Sequence, residues 1–343
     1  MTDSFYEQIE KIEESHWNYY FGGPDNIPLD KPFVTVNTAK AFMGEYFSKG
    51  GKRRIPEAFD LDSFQDARAD HTVAVFFLGA LLLKNTGFGS QEFFEGKIEK
   101  WYEFTLFMWF VTCLAHDAAF YLEKDRFVFA KADTVEQLYN ELSIDHRLLD
   151  RNIGGVPGDL LNCVKPYFNY RHAEGRTDHG IYGGILAFDV LVKNRIDKKS
   201  QGDVDPLYWA EDLDSFYAIA AATIATHNIW LPENEETIEK YGQAGLNSLI
   251  GRAPVTFREG PLLYFLGLID TIDPVKAYGR IGISVLEVLK NVHIDYKQMS
   301  FTLTVSGRLE EGVLHEQAKR ARDWLAIDYI TADRSVTISF HIE

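Results

Sequence analysis

The sequence predicts a mainly α-helical protein that ends in a small α+β appendage. Between residues 60 and 291, apolar residues recur in long blocks with few alternating stretches, which is the pattern of buried helices. After Asn291 the period changes to two, because Phe301, Leu303 and Val305 alternate with polar residues as they do in a half-buried strand. The change of period marks the border between the helical part and the appendage.

The hydrophobic pattern divides the chain into three segments. Residues 1–59 are an N-terminal extension, residues 60–291 are the helical domain, and residues 292–343 are the α+β appendage. Clusters of Gly, Pro and polar residues, such as Gly154-Gly155-Val156-Pro157-Gly158, separate the helices. We expect these helices over roughly residues 62–85, 99–123, 134–149, 158–172, 177–194, 206–229, 234–250 and 260–291.

The appendage is expected to combine strands with one helix. A strand at residues 301–305 is followed by a helix at about 309–325. Two further strands, 326–330 and 336–342, flank a turn at residues 331–334. The apolar face of the last strand would carry Val336, Ile338, Phe340 and Ile342.

The composition is that of a folded globular protein and disfavours several functional classes. Of 343 residues, 46% are hydrophobic and 25% are charged. The 35 Lys and Arg residues against 51 Asp and Glu give a net charge of −16, which disfavours binding of long nucleic acid. Cys113 and Cys163 are the only cysteines, so we expect neither a disulfide framework nor a Cys-based zinc site.

The sequence supports neither secretion nor insertion into a membrane. The first residues are acidic where a secretory signal would be basic. The longest apolar runs, 73–83 and 104–115, are shorter than the roughly 18 residues of a membrane span. We therefore expect a cytoplasmic protein without a membrane partner, and we leave open whether it forms a homodimer.

A series of His and Asp residues lies inside the apolar helices. Successive members of the series are several tens of residues apart, so each can occupy its own helix and point inward after a helical hairpin has returned the chain. The series consists of His71, His116-Asp117, His179, His227 and Asp270.

This mixture of side chains is suited to binding metal ions. Imidazole and carboxylate together bind first-row divalent metals, and the core of a helical bundle commonly holds such sites. We expect one or two divalent transition-metal ions, Fe, Mn, Zn, Ni or Co, with Mg as an alternative at the second position. His179 and His227 have two open alternatives, because either can contact substrate or hold another ligand by a hydrogen bond.

The order His71, His116-Asp117, Asp270 resembles that of the HD-domain metal-dependent phosphohydrolases. The resemblance covers roughly residues 60–290 and implies an HD-domain-like helical bundle. It implies that His71, His116, Asp117 and Asp270 bind one metal ion. It also implies that Asp117 bridges to a second metal ion, which His179 and His227 hold.

The resemblance further implies hydrolysis of a phosphoester or phosphoanhydride bond by a metal-activated hydroxide, with Asp117 as the catalytic carboxylate. The expected substrate is a small phosphorylated molecule, with a nucleotide as its class. The residues after the His-Asp pair are Ala118-Ala119-Phe120-Tyr121, so the sequence identifies no acid for the leaving group. The candidate substrate-binding residues are Arg176, Asn228, Lys276 and Arg280.

Two alternative functions remain open at this point. One is an HD-type nuclease, which would need a basic groove that the acidic composition does not indicate. The other is a non-catalytic signalling or binding module in which the helices form a platform and the appendage recruits a partner. The ionisable residues in the helices count against this module, because burying such groups is costly unless they have a partner or a role.

Overall fold

The structure is a computed structural model that describes residues 2–22, 28–35, 37–88, 101–124, 131–202 and 210–341. Over these residues the chain is mainly α-helical and ends in a small antiparallel sheet, which confirms the predicted fold class. The predicted helix starts at residues 99 and 206 and the strand end at residue 342 lie outside the described residues. The helices α1 to α14 have, in order, the bounds Phe5–Lys11, Ala39–Lys49, Arg54–Ala58, Asp66–Asn85, Trp101–Ala115, Val135–Glu141, Gly158–Ala173, His179–Ser200, Leu213–Thr226, Glu235–Gln243, Pro261–Ile272, Pro274–Gly279, Val285–Asn291 and Glu311–Trp324.

Several helices are shorter than the apolar pattern suggested. The helix expected over residues 260–291 is three helices, α11 to α13. Pro274 disfavours the helical region for the residue before it, which ends α11. Asp273 accordingly has φ −54° and ψ 117°. Helix α12 is followed by a turn in which Gly282 has φ 84°. Likewise α5 ends at Ala115, and a 3-10 helix at Ala118–Lys124 follows it. The breaks at the ends of α5 and α11 lie close in sequence to the candidate ligands His116 and Asp270.

The appendage is a four-stranded antiparallel sheet in the order β1-β2-β4-β3. Its strands are Val292–Lys297, Ser300–Val305, Ile327–Ala332 and Ser335–Phe340, with α14 between the second and third. In β2 and β4 buried and half-buried residues alternate, which confirms the predicted period. The sequence analysis missed β1, whose apolar residues continue directly from helix α13 and so show no separate period.

The chain forms two compact units. The first contains Met1–Tyr46, Gln65–Cys113 and Pro254–Glu343, and the second contains Phe47–Phe64 and Leu114–Ala253. The three segments predicted from the sequence are a different partition of the chain and stay a prediction. Each unit is built from segments distant in sequence, a property that local periodicity does not reveal.

The first unit has a core of closely packed aromatic rings. Tyr46 and Phe110 stack with ring centroids 4.0 Å apart, and Trp17 and Phe42 pack around them.

Within the described residues, one helical stretch, Thr105–Glu123, is long and apolar enough to cross a membrane, but 89% of that stretch is buried inside the protein. Burial on this scale is that of a core helix.

Candidate metal centre

The His116-Asp117 pair lies in the second unit where helix α5 has ended. Both residues are almost completely buried, with 0% and 1% of their surface exposed. On a continuous helix two adjacent side chains diverge by about 100°. Here the helix stops at Ala115, and His116 Nε2 lies 3.7 Å from Asp117 Oδ1. The break in the helix thus lets both groups serve one site.

Helices α8 and α9 of the same unit approach each other through glycines. A Cβ atom on Gly180 would lie 2.8 Å from the Ile224 carbonyl oxygen, and one on Gly184 would lie 2.3 Å from that of Ala221. Both obstacles are backbone atoms, so a larger residue would force the helices apart. This close antiparallel contact brings the N-terminus of α8 beside the C-terminus of α9.

His179 begins helix α8 and is held between two carboxylates. Its Nε2 lies 3.0 Å from Asp117 Oδ1, and its Nδ1 lies 2.8 Å from Glu123 Oε1. The same Glu123 oxygen accepts a hydrogen bond from the His179 backbone N–H at 2.9 Å. Glu123 therefore orients the ring so that Nε2 faces Asp117.

His227 follows the last residue of helix α9 and has a defined tautomer. Its Nδ1 lies 2.7 Å from the Ile224 carbonyl oxygen, which can only accept, so Nδ1 carries the proton. In the neutral imidazole the lone pair is then on Nε2. The His227 ring lies 5.3 Å from the His179 ring and 5.5 Å from the His116 ring, measured between centroids.

Asp117, His179 and His227 form a group that could hold a metal ion. Each offers one ligand atom, and these atoms lie within 4.8 Å of one another. The donor set fits a first-row divalent ion, since it combines imidazole nitrogens with a carboxylate. Hydrogen bonds from the second ring nitrogen to Glu123 and to the Ile224 carbonyl are the outer contacts typical of histidine ligands.

The charges around His179 change the pKa values of the site. Burial alone would lower the pKa of His179, but the hydrogen bonds to Asp117 and Glu123 outweigh it and raise the pKa to about 10. Burial raises the pKa of Glu123, yet its bonds to His179 hold that pKa below the ordinary value. The two carboxylates therefore require a positive charge between them, which a proton or a metal ion can supply.

A second cluster of predicted residues lies in the first unit. His71 Nδ1 is 2.7 Å from Asp273 Oδ2, and His71 Nε2 is 2.9 Å from Asp270 Oδ1. Burial and Lys276 lower the pKa of His71, but the bonds to Asp270 and Asp273 raise it overall. Asp273 also accepts hydrogen bonds from two backbone N–H groups at the start of α12. The same carboxylate therefore caps this helix and orients the His71 ring.

The predicted substrate-binding residues occupy different environments. Arg176 and Arg280 are exposed, whereas the Lys276 ammonium lies 2.7 Å from Asp270 Oδ1. Asn228 is bonded at both ends of its side chain: Nδ2 donates to Asp178, and Oδ1 accepts from the Trp230 indole. Their roles toward a substrate stay predictions.

The sequence analysis missed two contributors to the site, Glu123 and the glycines of α8. Glu123 is the next acid after the pair, and its contact with His179 spans 56 positions of the chain. Asp178, by contrast, directly precedes His179, where a helix cap is expected, and its side chain does cap α8. A Gly-x-x-Gly-Gly pattern inside an apolar helix, at residues 180–184, was the one available signal of close helix packing.

No family model, curated protein or solved structure matches this chain. Its function is therefore inferred from the residues of the site.

Proposed function

We propose that the chain is a metal-dependent phosphohydrolase that cleaves a phosphoester or phosphoanhydride bond of a small phosphorylated substrate, with a nucleotide as the expected class. The observation that carries the proposal is the buried group of Asp117, His179 and His227, in which both histidines have Nδ1 held by an acceptor. Buried ionisable groups are costly, and a ligand role accounts for keeping three of them together.

The chemistry of the donors favours Mn, Fe, Co, Ni or Zn, because imidazole ligands suit these ions better than Mg. A bound ion of this kind would stabilise negative charge on phosphoryl oxygens and lower the pKa of water. The contribution of the chain is orientation: Glu123 fixes the His179 ring, and the Ile224 carbonyl fixes that of His227.

The resemblance to HD-domain enzymes extends the proposal to further metal ligands. It implies ligand roles for His71 and Asp270 in the first unit and for His116 and Asp117 in the second unit. His71 Nε2 and Asp270 Oδ1 lie 2.9 Å apart, so these two candidate ligands are neighbours within the first unit. A cytoplasmic location stays a prediction, and the question of a homodimer stays open.

The acidic composition supports a small substrate. A net charge of −16 repels a long phosphate backbone but leaves room for a small phosphate that a metal ion and a few basic side chains can hold. We therefore place the nuclease alternative second.

Hydrolysis of a substrate panel, measured as released phosphate, pyrophosphate or aryl alcohol, tests this proposal. The protein, purified without a metal-affinity tag, is incubated with Mn, Co, Ni, Zn or Fe(II) and with nucleoside mono-, di- and triphosphates, a simple aryl phosphate and a bis-aryl phosphodiester. We expect metal-dependent hydrolysis that is lost in His179→Ala and kept in His146→Ala. His146 is the control because it lies in the same unit, and its backbone N–H donates a hydrogen bond to Asp189. Equal activity in His179→Ala, or none with any metal, would contradict the proposal.

A further inference from the structure

The two histidines of the proposed site both lie at helix ends. His179 is the first residue of α8, and His227 follows the last residue of α9. The ends of a helix lack part of its internal hydrogen bonding and are its least rigid positions. A metal site built there needs contacts from outside the helices to keep the two rings in place.

One hydrogen bond joins the neighbours of these two histidines. The Asn228 Nδ2 group donates to Asp178 Oδ2 at 3.0 Å, so the residue after His227 is tied to the residue before His179. Asp178 is completely buried, and its other oxygen accepts the Ile181 backbone N–H at 3.1 Å, which caps helix α8. The bond thus connects a helix cap on α8 to the end of α9.

Further contacts fix Asn228 in this orientation. Its Oδ1 accepts a hydrogen bond from the Trp230 indole at 3.0 Å, and the Tyr167 hydroxyl donates to its carbonyl oxygen at 3.3 Å. The Tyr241 hydroxyl in turn donates to the Trp230 carbonyl oxygen at 2.9 Å. An indole N–H can only donate and a carboxylate can only accept, so the amide of Asn228 has one consistent orientation.

We infer that Asp178 and Asn228 are a pair of positioning residues that hold His179 and His227 at the separation a shared metal ion requires. The inference rests on the proposed metal site and adds to it a role for two side chains outside the ligand set. It also gives Asn228 a function in the protein itself, in place of direct contact with substrate.

The bond is expected to act on metal affinity more than on folding. Hydrogen-bonding partners outside the ligand set change metal affinity by about 10- to 100-fold when they are removed. The glycine contacts of α8 with α9 remain in such variants and keep the helices packed. A loss of positioning should therefore appear as weaker binding by a folded protein.

Cobalt(II) is the probe for the test, because its visible absorption reports ligand geometry and its titration gives an affinity. The single variants are Asn228→Leu, which removes the donor, and Asp178→Asn, which keeps a cap acceptor for Ile181 but faces Asn228 with a second amide. The double variant Asp178→Asn/Asn228→Asp exchanges donor and acceptor. It preserves net charge and can satisfy Ile181, Trp230 and the bond between the two residues.

The matched control is Asn194→Leu. Asn194 is a buried asparagine of helix α8. Its amide donates to the carbonyl oxygen of Gly51, and neither residue is a candidate ligand. We expect this variant to lower the free energy of unfolding and to leave cobalt affinity unchanged. Thermal unfolding of each metal-free variant shows that the protein measured is folded.

The expected result is a loss of about tenfold or more in cobalt affinity, with an altered absorption spectrum, in both single variants and recovery of both readouts in the double variant. Wild-type affinity in the folded single variants would overturn the inference while leaving the metal site intact. A double variant as weak as the singles would also overturn it. Failure of the wild-type protein to bind cobalt or any other divalent ion would instead refute the proposed function, and this inference with it.

Discussion

Glu123 accepts two hydrogen bonds from His179, one from the backbone N–H at 2.9 Å and one from Nδ1 at 2.8 Å. A single carboxylate oxygen thus fixes both the start of helix α8 and the orientation of its first side chain. The remaining nitrogen of the ring is directed at Asp117 Oδ1. If the proposed site binds a metal ion, Glu123 should affect that binding through the orientation of His179.

Replacing Glu123 with Gln should weaken metal binding by about tenfold. The amide oxygen can still accept both hydrogen bonds from His179, but the amide lacks the negative charge that makes the imidazole a stronger donor to a metal ion. Competition titration with a zinc chelator measures the change. Glu136→Gln is the control, since Glu136 pairs with Lys165 on the surface. Equal affinity in Glu123→Gln and wild type would show that the contact is only structural.

Metal binding should release a proton and strengthen as the pH rises. With a pKa of about 10, His179 is protonated in the metal-free protein at neutral pH, and a metal ion must displace that proton. Below this pKa the apparent affinity should rise about tenfold per pH unit. Calorimetry in two buffers of different ionisation enthalpy counts the protons. A heat of binding independent of the buffer would contradict this prediction.

The close contact between α8 and α9 predicts that replacing Gly184 with a larger residue destabilises the protein. In Gly184→Ala the new Cβ atom would lie 2.3 Å from the Ala221 carbonyl oxygen, so the helices must separate. We expect a loss of about 1–3 kcal/mol in the free energy of unfolding, measured by urea denaturation. In Gly44→Ala the Cβ atom meets no atom within 4 Å, so this helical control should be neutral or slightly stabilised. The reverse order would refute the packing argument.

Asp273 should be important for stability as well as for the orientation of His71. Asp273→Ala removes the buried partner of His71 and the cap of α12 at once, so we expect a loss of about 3–5 kcal/mol. Asp273→Asn keeps a cap acceptor and should lose less. Asp212→Ala provides the comparison, because Asp212 precedes α9 without making a side-chain capping bond. Similar unfolding midpoints for Asp273→Ala and Asp212→Ala would contradict this account.

The helices and strands with a regular apolar period could be predicted from the sequence. Apolar blocks predicted the long helices, and the alternation of Phe301, Leu303 and Val305 predicted strand β2. Four of the candidate ligands, His116, Asp117, His179 and His227, are gathered in one compact unit of the structure. His116 follows the end of α5, His179 begins α8 and His227 follows the end of α9, and a ligand role for them stays a prediction.

The supporting contacts were not accessible in this way. Glu123 with His179 and Asp178 with Asn228 join positions that are 56 and 50 residues apart, and neither pair leaves a periodic trace. The bond between Asp273 and His71 joins positions 202 residues apart and likewise depends on tertiary packing. Strand β1 was missed because its apolar residues follow helix α13 without a turn signal.

The metal content of the purified protein tests the central claim most directly. Elemental mass spectrometry on protein prepared without a metal-affinity tag compares wild type with His116→Ala, His179→Ala, His227→Ala and the control His146→Ala. We predict that wild type and His146→Ala retain at least about one divalent transition-metal ion per chain and that His179→Ala and His227→Ala lose it. A further ion that is lost in His116→Ala would support the two-metal arrangement. Wild-type protein that holds no metal after supplementation, or His179→Ala and His227→Ala variants that hold as much as wild type, would contradict the claim that these residues form a metal site.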